Sequence, residues 1–213
     1  MEGRDYPMSN IEIHVRDLSK NFNRRPIFRD ISFSLSSPDS IAFTGKNGSG
    51  KSTLAKIVAG VLSPTKGEVV YQMNGKALTE DERKIHVGFV SPYLNLYDEF
   101  TALENIALLA KMRSNHSSVE AITESLLKRF NLWQRRDDNV RGYSSGMKQR
   151  LKYVFALVHS PSILILDEPS TNLDNDGMNV VEEVVKEQLS SSILVVATND
   201  SAEAKWCKQV VQL

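Results

Sequence analysis

The run Gly45-Lys46-Asn47-Gly48-Ser49-Gly50-Lys51-Ser52 constrains this chain more than any other feature, because it fills the phosphate-binding template G-x-x-x-x-G-K-[ST] without a mismatch. Before it, Ser40-Ile41-Ala42-Phe43-Thr44 reads as a buried strand; after it, Ser52 to Ala59 reads as a helix stopped at Gly60. Strand, loop and helix in that order are the context the template needs. Its glycines let the backbone approach a polyanion closely, so that successive N–H groups and the positive end of the helix point at phosphates. The expected ligand is a nucleotide held by Gly45 through Thr53. Lys51 reaches its β- and γ-phosphates, the Ser52 hydroxyl ligates Mg²⁺, and Thr53 makes further phosphate or backbone contacts.

At 213 residues and 41% apolar content, the chain suits one compact domain with a sizeable interior. Its 26 basic and 26 acidic residues cancel, so no global field draws nucleic acid or an anionic surface, and no nucleic-acid partner is expected. Cys207 stands alone, which excludes an intramolecular disulfide and a multi-cysteine metal site and fits a reducing compartment. The opening Met1 to Asp5 lacks the basic-then-apolar pattern of a leader, and no apolar run approaches the roughly 18 to 20 residues that span a bilayer. Work at a membrane would need another polypeptide to do the spanning.

Ile11 to Val15 and Ile31 to Leu35 alternate apolar with polar, as half-buried antiparallel strands do, and Gly67 to Met73 enters a tight hairpin turn at Asn74-Gly75. From Thr101 the period becomes helical. Thr101-Ala102-Leu103-Glu104 is a capping box opening a helix through about Met112, and Val119 to Phe130 carries apolar residues at Ile122, Leu126, Leu127 and Phe130. Ile163 to Leu166 runs apolar into Asp167 and Glu168, as a central parallel strand does where its carboxyl end faces a ligand cleft. A second such strand, Ile193 to Ala197, follows the helical stretch Asp176 to Leu189, giving a right-handed crossover unit. The fold class is α/β. A P-loop NTPase core with a mixed or parallel sheet occupies 1–91 and 162–213, with an N-terminal antiparallel β-layer and an α-helical subdomain inserted over 92–161.

The two acids divide the work: Asp167 sits in the Mg²⁺ shell, and Glu168 orients and deprotonates the water that attacks the γ-phosphorus. Upstream lies Tyr143-Ser144-Ser145-Gly146-Met147-Lys148-Gln149-Arg150. Here the chain resembles the ATP-binding subunits of ABC transporters, whose signature L-S-G-G-Q is matched at Ser144 and Gly146 and departed from at Tyr143, Ser145 and Met147. Alone, Ser144-Ser145-Gly146 is a helix N-terminus with a serine cap. Its place after the phosphate loop and a helical segment, 23 residues before Asp167, makes the match specific.

Phe22 stands where the family places an aromatic that stacks on adenine; a core phenylalanine is the other reading. Ser170-Thr171-Asn172-Leu173-Asp174 resembles the family's loop for communication between subunits, although Asp174 can also simply cap the next helix. The resemblance runs from Ile11 to Leu213. It implies ATP as the nucleotide and a head-to-tail pair, homodimer or heterodimer, in which Ser144, Ser145 and Gly146 of one subunit close over the ATP of the other. It also implies a membrane-spanning permease on a separate chain and a peripheral place on the cytoplasmic face of the cell membrane.

Two positions depart from the family pattern. A glutamine that touches Mg²⁺ or the attacking water is replaced by Pro92, which has neither a side-chain amide nor a backbone N–H. The switch histidine that contacts the γ-phosphate is replaced by Asn199, which can donate a hydrogen bond but carries no charge or mobile proton. With Lys51 and Glu168 intact, the expectation is real but slow ATP hydrolysis coupled to transport, most naturally export. Tyr93, Leu94, Leu96, Tyr97 and Phe100 form an apolar stretch expected to meet the partner or else to pack inside. Two other readings remain: a soluble ABC-type ATPase serving nucleic acid or translation, and a nucleotide-gated binding module that hardly turns over.

Overall fold

A computed structural model describes residues 10–112 and 119–213, so the opening Met1 to Asp5 lies outside the described residues. Among the described residues the strands form two sheets. The first is antiparallel and ordered β2-β1-β4-β5, from β1 (Ile11–Phe22), β2 (Arg25–Ser36), β4 (Lys66–Met73) and β5 (Lys76–Ala77). The second is parallel and ordered β6-β7-β8-β3-β9, from β6 (Val87–Val90), β7 (Ile163–Asp167), β8 (Ile193–Ala197), β3 (Asp39–Thr44) and β9 (Gln209–Gln212).

Every residue of β7 and β8 is buried, as continuous apolar runs in the middle of a parallel sheet must be. Their side chains alternate between two cores. Ile163, Ile165, Ile193 and Val195 face β1 and the helix α1 (Lys51–Val58), whereas Leu164, Leu166, Leu194 and Val196 face the helices. Those helices are α3 (Ala102–Met112), α4 (Val119–Arg129), α5 (Ser145–Leu157) and α6 (Asn175–Ser191).

The capping box at Thr101 is formed: Glu104 N–H donates to Thr101 Oγ1 at 3.1 Å and Thr101 N–H to the Glu104 carboxylate at 2.8 Å. Val119 to Phe130 is helical to Arg129 and buries Leu127 and Phe130. Asn74 and Gly75 both have positive φ, the signature of the tight hairpin turn expected there.

The first hairpin is longer than the alternation indicates. β1 and β2 meet through the two-residue turn Asn23-Arg24, both with positive φ, which is unusual for arginine. Among the described residues, α2 (Glu80–His86), α7 (Ser201–Ala204), β9 and the short 3-10 turns Trp133–Arg135 and Val140–Gly142 have no counterpart in the sequence reading. The first carries its own start signal, because Thr79 and Glu82 make a complete capping box. Among the described residues no helix is long and apolar enough to cross a membrane.

Ile165 lies fully buried in the middle of β7, immediately before the acidic strand end. Ile165→Ala is expected to lower unfolding stability by about 3 kcal/mol through lost burial and the cavity left behind. Urea denaturation checks this; a change under about 1 kcal/mol would contradict the packing.

Candidate active site

The carboxyl ends of β3, β7 and β8 lie along one edge of the parallel sheet, and the loops that follow them close a cavity of about 490 Å³. Asn47, Gly48, Gly50, Lys51, Ser52 and Thr53 line it from the phosphate loop, Pro92 and Tyr93 from the loop after β6, and Glu168 and Asn199 from the ends of β7 and β8. Gly50 has φ 110°, and a Cβ there would fall 2.5 Å from Ile27 Cγ2, so no other residue fits between loop and hairpin. Gly48 has φ 80° with open space around it, leaving bare backbone toward a ligand. Gly45, Lys46 and Ser49 belong to the loop but line a shallower hollow on its other side, next to Leu213.

The turn is tied by Ser49 N–H donating to Lys46 C=O at 3.0 Å. Leu54 N–H is bonded back to Gly50 C=O, so the N–H groups of Lys51, Ser52 and Thr53, at the positive end of α1, have no helical acceptor. Lys51 is buried to 5% exposure; its Nζ donates to the carbonyls of Gly45 at 2.9 Å and Lys46 at 3.2 Å, and lies 4.0 Å from Glu168 Oε1. Ser52 Oγ donates to Asp167 Oδ1 at 2.7 Å across 115 positions of sequence.

Asp167 is fully buried, and its other oxygen accepts from Ser91 Oγ at 3.0 Å. One hydroxyl and one carboxylate form an oxygen donor set that suits a hard cation such as Mg²⁺, which takes few protein ligands and draws the rest from phosphate and water. Among the described residues no three His, Cys, Asp or Glu side chains gather into a metal cluster, so phosphate oxygens have to complete any such shell.

Glu168 differs from its neighbour. Its side chain keeps 28% exposure at the cavity wall, and its backbone adopts φ 51°, a conformation seldom held by a non-glycine residue outside a constrained site. Burial pushes its carboxyl above the ordinary value of 4.5; Lys51 pulls it down, and Asp167 and Glu203 add to the rise. A carboxylate so tuned, beside a lysine placed for phosphate, is equipped to take a proton from water.

Asn199 Nδ2 donates to Asn47 Oδ1 at 3.0 Å, which joins the end of β8 to the phosphate loop. Ser144 caps α5, its Oγ accepting from Met147 N–H at 3.2 Å. Ser145 lines a separate hollow with Leu94, Leu96, Lys148 and Lys152, and Gly146 abuts the Asn172 carbonyl, which a Cβ would approach to 3.0 Å. None of these three lines the cavity in this chain. Phe22 is 45% exposed at the tip of the first hairpin, with Lys20 Nζ 4.8 Å from its ring centroid. It is not a core residue, and it too lies outside the cavity lining. Asp174 does cap α6, accepting from Gly177 N–H at 2.9 Å, and is paired with Arg150. Cys207 is half-buried, and burial pushes its thiol up to about 12, as an inert thiol requires.

Sequence reading gave no site role to Ile27 or Glu203, named Thr171 only within the loop Ser170 to Asp174, and did not settle on Ser91 or Tyr93 as a stand-in for the missing glutamine. Ile27 and Thr171 line the cavity, Ser91 holds Asp167, and buried Glu203 accepts from Ser170 N–H and the Thr198 hydroxyl. Ser91 carried a signal in its position beside Pro92 and Thr171 in its loop, whereas Ile27 and Glu203 carried none.

The family model described as "ABC transporter" matches residues 28–171, two thirds of the chain and both halves of the cavity. The chain belongs to the ABC transporter family. It is an ATP-binding ATPase cassette of that family. It is 31% identical over 214 residues to the lipoprotein-releasing system ATP-binding protein LolD of Leptospira interrogans, with 96% of this chain and 89% of that one covered. It is also 31% identical over 197 residues to the Nod factor export ATP-binding protein I of Bradyrhizobium diazoefficiens, with 92% of this chain covered but only 64% of that protein's length. Among solved structures, the ATP-binding subunit of an ABC transporter superposes with a TM-score of 0.84 at 28% identity, covering 94% of this chain and 85% of that one. A dimeric post-hydrolysis cassette bound to ADP and Pi has the same fold, with a TM-score of 0.80 at 23% identity over 94% of both chains.

Because only the ionised carboxylate can accept a proton, turnover is expected to fall in acid with a midpoint above 4.5. Glu168→Gln is expected to lower turnover by about 100-fold or more while ATP binding persists. A pH profile of kcat/KM, which reports the free protein, and a fluorescent-nucleotide titration check both; an acid limb at or below 4.5 contradicts the tuning.

Proposed function

We propose that this cassette binds Mg·ATP between two copies or two related subunits, hydrolyses it slowly, and drives export through a membrane-spanning permease carried on another chain. The observation that carries the reading is the joining of Ser52 to buried Asp167 at 2.7 Å, with Lys51 and Glu168 lining the same cavity wall as Ser52, so that two distant sequence segments meet at one site. When bound, Mg²⁺ would supply charge neutralisation between the phosphates, with Ser52 and Asp167 as its holders. Lys51 binds the terminal phosphates, and Glu168 orients water and takes its proton.

The signature segment supports pairing. Ser144, Ser145 and Gly146 sit at the N-terminus of a 13-residue helix, a place fit for a γ-phosphate, yet outside their own chain's cavity. A head-to-tail partner would bring them over the nucleotide, with the helical subdomain 92–161 carrying the segment. Phe22 would stack on adenine from the hairpin tip.

Tyr93, Tyr97 and Phe100 are 69%, 60% and 39% exposed, which favours a docking surface over interior packing. The permease docked there would place the cassette peripherally on the cytoplasmic face of the cell membrane. Relatives named for lipoprotein release and Nod factor export support the outward direction.

Asn199 reaches the phosphate loop but supplies no charge, and Pro92 supplies no amide, so turnover is expected to be low. Losing one positioned contact to developing charge costs about 10- to 1000-fold. Asn199→His is expected to raise kcat at least about tenfold with ATP affinity kept; steady-state ATPase assays check it, and an unchanged rate removes Asn199 from the γ-phosphate. Sedimentation of Glu168→Gln with Mg·ATP is expected to yield dimers, and monomers alone would defeat the paired arrangement.

A further inference from the structure

Asp167 is gripped from two sides, and the second grip comes from outside every motif. Ser91 is 1% exposed and donates its hydroxyl to Asp167 Oδ2, while Ser52 donates to Oδ1. Ser91 is held by its own turn, its carbonyl accepting from Leu94 N–H at 3.1 Å and its Oγ from Tyr93 N–H at 3.3 Å, and by a cation on α5. Lys152 Nζ donates to the Ser91 carbonyl at 3.2 Å and the Pro92 carbonyl at 2.8 Å. Proline offers no N–H, so the backbone at 92 can be held only through its carbonyl, and an ammonium with three donors can span both acceptors at once. Lys148, one turn earlier, is committed differently, to Asp98 at 2.7 Å. Lys152 also lines the hollow beneath Leu94, Leu96 and Tyr97, so the clamp lies between the cavity and the exposed aromatic loop.

We propose that Lys152 is a positioning residue for the metal carboxylate: by clamping the carbonyls of Ser91 and Pro92 it keeps the Ser91 hydroxyl on Asp167. Asp167 is thereby held with one fixed edge toward Ser52, and the loop that lacks a glutamine is tied to the site through its backbone instead. The inference rests on Ser52 and Asp167 being the Mg²⁺ holders. Partners of this kind, which orient a ligand rather than bind the ion, commonly change metal affinity 10- to 100-fold when removed.

The test is the Mg²⁺ concentration that half-saturates the tightening of a fluorescent ATP analogue on the full chain, with affinity in EDTA measured alongside. Ser91→Ala is expected to raise that concentration about tenfold and Lys152→Met about three- to tenfold, with affinity in EDTA within about twofold of the parent. Ser91→Thr and Lys152→Arg, which keep the donors, are expected to return it to within about twofold. Because both residues act through one contact, the double variant should be no worse than Ser91→Ala alone. Unchanged Mg²⁺ midpoints, or additive effects in the double variant, overturn the clamp. If the parent protein binds nucleotide equally with and without Mg²⁺, the assignment of Ser52 and Asp167 fails first and the clamp with it.

Discussion

A carboxylate with no exposure to solvent organises this molecule. Burying an unpaired charge costs several kcal/mol, so Asp167 at the end of β7 demands donors, and it finds them in Ser52 at the start of α1 and Ser91 after β6. Those bonds tie together three segments that the parallel sheet has already brought to one edge. The sheet can do so because β7 and β8 are apolar on both faces and are therefore covered on both, by α1 and the antiparallel layer on one side and by α3 to α6 on the other. Without the two-sided core the acidic strand end would be solvated, and the distinction between a buried Asp167 and a half-exposed Glu168 would vanish.

That distinction gives neighbouring acids different chemistry. Asp167 has both oxygens occupied by hydroxyl donors, which fixes the orientation of its carboxylate. Glu168 lies 4.0 Å from Lys51 and has a partly desolvated carboxyl, and the desolvation raises its basicity. The turn that follows is fixed by Tyr153 Oη donating to the Pro169 carbonyl at 2.9 Å and Ser170 N–H donating to Glu203 at 3.2 Å. Glu168 thus keeps its left-handed backbone because the loop around it is pinned from α5 and α7.

Much of this was legible in the sequence because it depends on local rules. The template Gly45 to Ser52, the apolar run into Asp167 and the capping box at Thr101 each specify their own geometry, and each is found where expected. The long first hairpin was not legible, because Asn23-Arg24 places arginine at positive φ and the bulges after Val15 break the alternation. The strand β9 is held by its pairing with β3, a contact nearly 170 residues away that no local pattern encodes. Glu203 is likewise silent in sequence, since a single acid in a four-residue helix announces nothing until Ser170 and Thr198 surround it. The roles proposed for Phe22 and for Ser144 to Gly146 would need a nucleotide and a second subunit, and in this chain all four lie outside the cavity lining.

The helix that Ser144 caps is nonetheless bound to the loop after Asp167 within its own chain, and by three kinds of contact. Gly146 can lie against the Asn172 carbonyl only because it lacks a Cβ. Arg150 pairs with Asp174, which also caps α6, and Tyr153 holds the Pro169 carbonyl from the buried face of α5. These residues lie along the first turns of α5 and meet both ends of the loop 168–174. One helix thus meets that loop at three points along its length. The same helix reaches Asp167 through Lys152 and Ser91, so both acids are tied to one rigid element that begins at the signature serine.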